Sequence, residues 1–177
     1  MGKHHAILLF AALSTTLSGA APATIPATRG TALDGHTVTL PHDLSAATIL
    51  ILGFSKNSEA NSTAWEKAII ANLAAPPVIT YFDIPILADA PSFVRPMILH
   101  SMRKQIPDAL KPSFLPLTDN ESAWKQAASY TASAPDAAYI LLVDRTGVVR
   151  WQTHEAYNAV VVAQLSFAAK KLSSESR

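Results

Sequence analysis

The strongest structural signal in this chain is a run of ten residues near its C-terminus, Leu142-Val143-Asp144-Arg145-Thr146-Gly147-Val148-Val149-Arg150-Trp151. Apolar residues on both sides of Arg145-Thr146-Gly147 predict two short strands, which extend back to Ala138 and forward to Gln152. A polar turn containing glycine between two such runs is typical of an antiparallel hairpin. We therefore predict a hairpin in the C-terminal part of the chain.

Earlier segments predict the strands and the helix that accompany this hairpin. The apolar run Thr48–Phe54 has the continuous hydrophobicity of a central strand buried on both faces. Polar residues from Ser55 to Glu59 then start a helix. Its buried stripe is predicted to contain Trp65, Ile69 and Leu73. Val78 to Leu87 predicts a second strand, which a right-handed crossover would place beside the first and parallel to it.

The remaining segments complete an order of strands and helices. Asp34-Gly35 lies between two short alternating runs and predicts an N-terminal hairpin over Thr31–Leu40. The other predicted elements are a helix from Pro96 to Gln105, an edge strand at Leu115–Leu117, a short helix from Ser122 to Tyr130, and a C-terminal helix lined by Val161, Leu165, Ala168 and Leu172. This order predicts a mixed sheet with helices on both faces.

Composition excludes several classes of protein. Of the 177 residues, 49% are hydrophobic and 15% are charged, which is enough apolar material for the core of one domain. Fourteen Lys and Arg against thirteen Asp and Glu leave a net charge of +1, too small a basic excess for general nucleic-acid binding. Because the chain has no cysteine, disulfides, iron–sulfur clusters and thiol-based redox chemistry are excluded.

The N-terminus is predicted to be a cleaved export signal. A short basic start precedes the apolar run Ala6–Leu17, which is too short to span a bilayer, and small residues follow it, so that cleavage is predicted after Ala20 or Ala23. The mature protein is then predicted to be periplasmic or extracellular, with no transmembrane segment. The predicted organisation is a signal peptide at 1–20, an extended tether at 21–29, one domain at 30–172 and a disordered tail at 173–177.

The hairpin and the order of elements resemble the thioredoxin-like superfamily. The run from Leu142 to Trp151 is similar to the LVD-x-x-G-x-x-R hairpin of that superfamily. The N-terminal hairpin is typical of its peroxiredoxin and extracytoplasmic thiol-reductase branches. The resemblance covers about residues 30–172 and implies an α/β three-layer sandwich, in which a mixed central sheet carries helices on both faces and an N-terminal β-hairpin. The chain is identified as a cysteine-free member.

The resemblance places the redox site of catalytic members just after the first central strand, at the start of the first long helix. The matching residues are Ser55, Lys56, Asn57 and Ser58. A serine hydroxyl cannot form a disulfide or be oxidised to a sulfenic acid. The proline that the family carries directly before the strand near Tyr139 is also missing, because Pro135 lies too early. We therefore predict a redox-inactive domain with no catalytic residue, no cofactor and no metal.

Chemistry that needs no thiol is the alternative. Ser58 could act as a nucleophile beside a histidine, but no G-x-S-x-G motif supports this. The histidines of the mature chain are scattered, at His36, His42, His100 and His154. None of them has the spacing of a metal-ligand pair on one helix. A helix-capping role for Ser58 is the simpler interpretation.

A basic helix edge is the main candidate for a binding surface. The helix after Pro96 is predicted to place Ile98, Leu99, Met102 and Ile106 on one face, and His100, Arg103 and Lys104 on another. This edge, together with Arg95, is either a solvated helix face or a docking surface for an acidic partner or lipid headgroups. Arg150 and Trp151 are similarly open between core packing and an interface anchor.

A narrower resemblance involves Asp144, Arg150 and Trp151. Cysteine-free thioredoxin-like domains with a VD-x-x-x-x-x-RW hairpin resemble the mitochondrial family that helps to build the membrane sector of ATP synthase. That family also carries a basic, methionine-containing stretch at the position of Arg95 to Lys104. This resemblance implies a chaperone or assembly role without catalysis.

Three functions remain as hypotheses. The favoured one is an exported, redox-inactive protein that binds a protein partner, with a membrane complex among the candidates, as an assembly factor. The second is an enzyme derived from a peroxiredoxin or thiol reductase that uses a group other than a thiol. The third is a carrier of a small ligand in the cleft between Ser55–Ser58 and the segment before Tyr139.

Overall fold

The computed structural model describes residues 22–73 and 79–175. The strands in this part of the chain are β1 (Thr28–Thr31), β2 (Thr37–Leu40), β3 (Thr48–Gly53), β4 (Thr80–Pro85), β5 (Ala138–Val143) and β6 (Val149–Thr153). The α-helices are α1 (Glu59–Leu73), α2 (Arg95–Gln105), α3 (Glu121–Ala127) and α4 (Ala159–Glu175). The predicted signal peptide at 1–20 lies outside the described residues.

A four-stranded mixed sheet with the order β4-β3-β5-β6 forms the centre of the domain. β3 pairs parallel with β4, from Thr48 opposite Thr80 to Gly53 opposite Pro85. On its other side β3 pairs antiparallel with β5, which pairs antiparallel with β6. All six residues of β3 are buried, which explains its continuous apolar sequence. The predicted central strand, the parallel second strand and the C-terminal hairpin are confirmed.

One face of the sheet packs against α1 and α4. Ile49 and Ile51 of β3 lie in this core with residues of both helices. Trp65, Ile69 and Leu73 of α1 are buried there at the spacing of one helix face. The predicted stripe of α1 is therefore confirmed, and it fixes the helix that follows Ser58 against the sheet.

The opposite face of the sheet carries the N-terminal hairpin and α3. Leu50 and Leu52 of β3 pack there with Leu40 of β2 and Trp124 of α3, all of them buried. The hairpin turns at Gly35, whose φ of +99° favours glycine over residues with a Cβ atom. The domain is thus an α/β three-layer sandwich with a mixed central sheet and an N-terminal hairpin, as predicted.

The segment before β1 is a packed part of the domain, which corrects the prediction of a tether at 21–29. The Val149 amide donates a hydrogen bond of 2.8 Å to the Ala23 carbonyl, and the Ile25 amide donates one of 2.9 Å to the Gly147 carbonyl. The Ile25 side chain is buried. Because these bonds satisfy backbone groups at the hairpin, the segment is held in place.

The prediction of a disordered tail from residue 173 is wrong for residues 173–175, because α4 continues to Glu175. Lys171 and Glu175 form an ion pair at the i, i+4 spacing of a helix, with an N–O distance of 3.8 Å. Residues 176 and 177 lie outside the described residues. Within residues 22–73 and 79–175, no helix is long and apolar enough to cross a membrane.

The predicted edge strand at Leu115–Leu117 is present as two isolated bridges beside β4. The Leu115 amide donates to the Asp83 carbonyl over 2.7 Å, and the Leu117 amide donates to the Pro85 carbonyl over 3.0 Å. Pro85 of β4 lies between the two bridges and has no amide hydrogen to donate to this segment, so the ladder is interrupted there.

Candidate functional site

The residues between β3 and α1 form a compact hydrogen-bonded turn. The Ser58 amide donates to Ser55 Oγ over 3.2 Å, so Ser55, and not the predicted Ser58, is the capping residue. The Ser58 hydroxyl donates to the Ser55 carbonyl over 2.7 Å, and Ser58 is only 3% exposed. Lys56 and Asn57, the other two residues of the predicted redox position, are exposed. Both serine side chains therefore stabilise the turn that leads into α1.

Asp136, in the segment before β5, accepts hydrogen bonds from this turn and from the start of α1. Its carboxylate accepts a hydrogen bond of 2.6 Å from the Ser55 hydroxyl and one of 3.3 Å from the Asn57 side-chain amide. Its backbone carbonyl accepts a hydrogen bond of 2.8 Å from the Asn61 side chain. We call Ser55, Asn57, Asn61 and Asp136 the Asp136 cluster. Since helix N-termini favour negative charge, the chain supplies its own anion near the start of α1.

Sequence reasoning missed Asp136 and Asn61. Asp136 and Ser55 are 81 positions apart, and no local pattern couples residues at that separation. The resemblance to the thioredoxin-like superfamily could have indicated their proximity, because it places the segment before Tyr139 across a cleft from the residues after β3. The structure brings these two segments together by hydrogen bonds.

α2 lies on the outside of the domain and buries none of its residues. Its predicted apolar face is half-buried, at Ile98, Leu99, Met102 and Ile106. The three basic residues of the predicted edge, His100, Arg103 and Lys104, are exposed. The helix thus presents a basic surface that the rest of the domain does not cover.

Arg95 differs from the other basic residues of this segment. Its Nε donates to the Ala90 carbonyl and its Nη2 to the Ala88 carbonyl, each over 2.8 Å. The guanidinium is half-buried and holds the loop that enters α2. Its predicted role in partner binding stays a prediction, and its contacts here are with its own chain.

Asp144 is the hydrogen-bond acceptor that organises the β5–β6 turn. It is 8% exposed, and its Oδ1 accepts from the amides of Thr146 and Val148 over 2.8 and 3.1 Å. Its Oδ2 accepts from Arg150 Nε over 2.7 Å. Burial by itself opposes ionisation, but the hydrogen bonds from Thr146 and Arg150 hold the pKa of Asp144 below its usual value. Trp151 is half-buried against the core of α1 and α4.

Solved structures that match this chain include thioredoxin-fold proteins. Yeast Sco1 matches with a TM-score of 0.58 and 18% sequence identity, over 85% of this chain and 96% of its own. The exposed lipoprotein thioredoxin Etrx1 of Streptococcus pneumoniae strain TIGR4 matches with a TM-score of 0.57 and 10% identity, over 80% of this chain and 98% of its own. The chain has the thioredoxin fold.

The remaining comparisons show that the similarity to known proteins is one of fold and not of sequence. The thioredoxin-fold protein BsSco, a member of the Sco family of cytochrome c oxidase assembly proteins, matches with a TM-score of 0.58 and 13% identity, over 86% of this chain and 95% of its own. At such identities the likeness establishes the fold alone. No family model matches the chain, and no curated protein matches it in sequence. It is a thioredoxin-fold protein whose sequence contains no cysteine.

A buried acidic pair lies in the thioredoxin fold between α1 and β4. Asp83 is 4% exposed, and its burial, together with the charge of Glu66, raises its pKa to about 8. Burial also raises the pKa of Glu66, although Tyr81 donates a hydrogen bond of 3.3 Å to Glu66 Oε1. In residues 22–73 and 79–175 no three metal-binding side chains come together. Sequence reasoning missed this pair, although an aspartate in the apolar run of β4 was a visible signal.

A cysteine introduced at position 55 would report how the Asp136 carboxylate changes the pKa of a neighbouring thiol. We expect the Ser55→Cys variant to react slowly with iodoacetamide near neutral pH, because a neighbouring carboxylate raises the pKa of a thiol. Adding Asp136→Asn should lower that pKa by about one unit and speed alkylation up to about tenfold. The chain has no other cysteine, so the rate reports position 55 alone. Equal rates in both variants would contradict this expectation.

Proposed function

We propose that this chain is an exported, redox-inactive thioredoxin-fold protein that binds a protein partner and assists the assembly of a membrane complex. The observation that carries the proposal is the surface of α2, a helix that buries none of its residues. Its exposed basic residues are His100, Arg103 and Lys104. A basic surface of this kind complements an acidic surface on a partner and speeds their encounter.

The Asp136 cluster supports binding over catalysis or ligand transport. In that cluster the hydroxyl of Ser55 is already bonded to a carboxylate of the same chain. Ser58 is buried and bonded to the Ser55 backbone, so its hydroxyl is not presented as a nucleophile. The cleft that a small ligand would enter between these segments is bridged by hydrogen bonds from Asn57 and Asn61 to Asp136.

Export and assembly rest on sequence and on likeness to other proteins. Residues 1–20 have the pattern of a cleaved export signal. The thioredoxin-fold neighbour Etrx1 is described as an exposed lipoprotein, and BsSco belongs to a family of assembly proteins. The narrower resemblance of Asp144, Arg150 and Trp151 to an assembly factor family points in the same direction.

The proposal is tested by a photo-crosslinking amino acid in place of Arg103 in intact cells. We expect a discrete adduct with a subunit of a membrane complex, because Arg103 lies on the exposed basic side of α2. Lys104→Glu in the same chain should reduce the yield several-fold by reversing a neighbouring charge.

The matched control places the same crosslinker at Lys170, an exposed lysine of α4. The adduct should be absent or much weaker there. Identical adducts at both positions, or a yield that is insensitive to Lys104→Glu, would contradict docking through α2. No adduct at either position would also count against the proposal.

A further inference from the structure

The outermost line of α2 and of the turn before it combines apolar and cationic side chains. Met97, His100 and Lys104 follow one another at intervals of three and four residues, so they share one face of α2, and Phe93 lies in the turn two residues before the helix begins. We call these four residues the outer stripe. Phe93 is 82% exposed and Met97 is 68% exposed, while His100 and Lys104 are exposed as well. Large apolar side chains so exposed beside cations are the composition of an interfacial helix.

The charge of this segment is of one sign. From residue 90 to residue 107 the chain contains Arg95, His100, Arg103 and Lys104 and no Asp or Glu. The acidic residues on either side are Asp89 and Asp108. The surface around the outer stripe therefore complements an anionic one, and carboxylates of its own segment do not neutralise it.

The shape of the surface indicates the kind of partner. Phe93, in the turn before α2, and Met97, on α2, are exposed, whereas the inward face of the helix, at Ile98 and Met102, is half-buried against the domain. Projecting apolar side chains need a medium that they can enter, and the boundary between headgroups and acyl chains is such a medium. The neighbouring cations would then lie at the level of the lipid phosphates.

We propose that the outer stripe of α2 docks this protein on an anionic lipid surface, with Phe93 and Met97 entering the acyl boundary and Lys104 meeting the headgroups. This inference rests on the proposed function, because it places the protein beside a membrane complex. It adds that the bilayer itself is part of the docking surface. Arg103 lies on the flank of the same helix and remains available to a protein.

A second exposed apolar surface, on α4, provides a stringent comparison. Val160 and Phe167 are 67% and 73% exposed. Lys170 and Lys171 follow on the same helix, but Lys171 is paired with Glu175, so this surface carries less positive charge than that of α2. If α2 docks on the lipid surface, a fluorescent label on α2 should respond to anionic vesicles and a label on α4 should not.

The test uses the full chain with a single cysteine at Ser101→Cys, an exposed position on α2, labelled with an environment-sensitive fluorophore. The chain has no cysteine of its own, so labelling is specific. We expect a blue shift with vesicles of equal phosphatidylglycerol and phosphatidylcholine, and none with phosphatidylcholine alone. The shift should be lost in about 0.5 M NaCl, where charges are screened within a few ångströms.

Two variants of the labelled chain separate the apolar and charged contributions. Phe93→Ser with Met97→Ser, and separately Lys104→Glu, should each raise the lipid concentration for half-maximal signal by about fivefold or more. The control label at Ala163→Cys, exposed on α4, should stay unchanged. Each fluorophore reports only its own surroundings. If the protein bound vesicles only through the apolar run at 6–17, the emission of the label at position 101 would not change.

The opposite results overturn the inference. A silent label at position 101, an equal response to uncharged vesicles, or an equal response at position 163 would each do so. Full binding by the Phe93→Ser, Met97→Ser variant would also do so, since it would indicate a purely charged contact. A protein adduct at Arg103 together with a silent label at 101 would reject the lipid surface and leave the proposed function standing.

Discussion

Replacing Asp83 with asparagine should raise the free energy of unfolding at mildly alkaline pH by several kcal/mol. Asp83 is 4% exposed in β4, and Glu66 is close enough to add its charge to the cost of ionising the carboxyl. Asparagine has nearly the same shape and cannot ionise. The variant therefore removes the cost of a buried carboxylate without opening a cavity.

The sign of the pH dependence follows from the two states of Asp83. Its pKa is about 8 in the folded protein and near 3.8 in the unfolded chain. Below pH 3.8 both states hold the proton, so the contribution to stability is fully present there. This contribution to the free energy of unfolding is lost as the pH rises from 3.8 to about 8. Each unit of pKa difference corresponds to about 1.4 kcal/mol, so the total loss is on the order of 5 kcal/mol.

Urea unfolding of the wild type and Asp83→Asn across this pH range measures the effect. The wild type should lose stability with rising pH more steeply than the variant. Asp89→Asn is the matched control, because Asp89 is exposed and a change there should leave the curve in place. Parallel curves for the wild type and Asp83→Asn would show that Asp83 ionises as an ordinary carboxyl.

Removing the Asp144 carboxylate should lower the free energy of unfolding by about 3 kcal/mol. In Asp144→Ala the amides of Thr146 and Val148 lose their acceptor, and Arg150 loses its ion pair. The turn also holds the N-terminal segment, since the Ile25 amide bonds to its carbonyl at Gly147. Loss of the turn therefore weakens two parts of the domain together.

The control for this change is Arg150→Ala. The Arg150 side chain is 49% exposed, so its removal should cost only about 1 kcal/mol or less. Midpoints of urea unfolding compare the two variants under one set of conditions. A loss for Asp144→Ala no larger than that for Arg150→Ala would mean that the hydrogen bonds from the Thr146 and Val148 amides to the carboxylate contribute little.

Local patterns were sufficient to predict the framework of the fold. β3 is predictable because a strand that is buried on both faces must be apolar throughout. α1 is predictable because Trp65, Ile69 and Leu73 repeat at the spacing of one helix face. The hairpins are predictable because glycines mark both turns, where φ is positive at Gly35 and Gly147.

The candidate site was less predictable, for physical reasons that differ between its parts. Periodicity shows which residues of α2 share a face, but not whether another element covers that face, so its lack of buried residues could not be foreseen. The bond between Asp136 and Ser55 depends on how two distant loops approach each other. The proximity of Glu66 and Asp83 likewise arises only when α1 packs on the sheet. Sequence identified the basic residues of α2 but not these tertiary contacts.

The bond between Ala23 and Val149 has a consequence for the proposed cleavage of an export signal. A peptidase cutting after Ala23 would remove the carbonyl that accepts the Val149 amide and would place a charged amino group on Thr24 beside the hairpin. A cut after Ala20 would retain that acceptor. For the export signal proposed above, cleavage after Ala20 is therefore the one of the two predicted cuts that leaves the native hydrogen bonds of the domain intact.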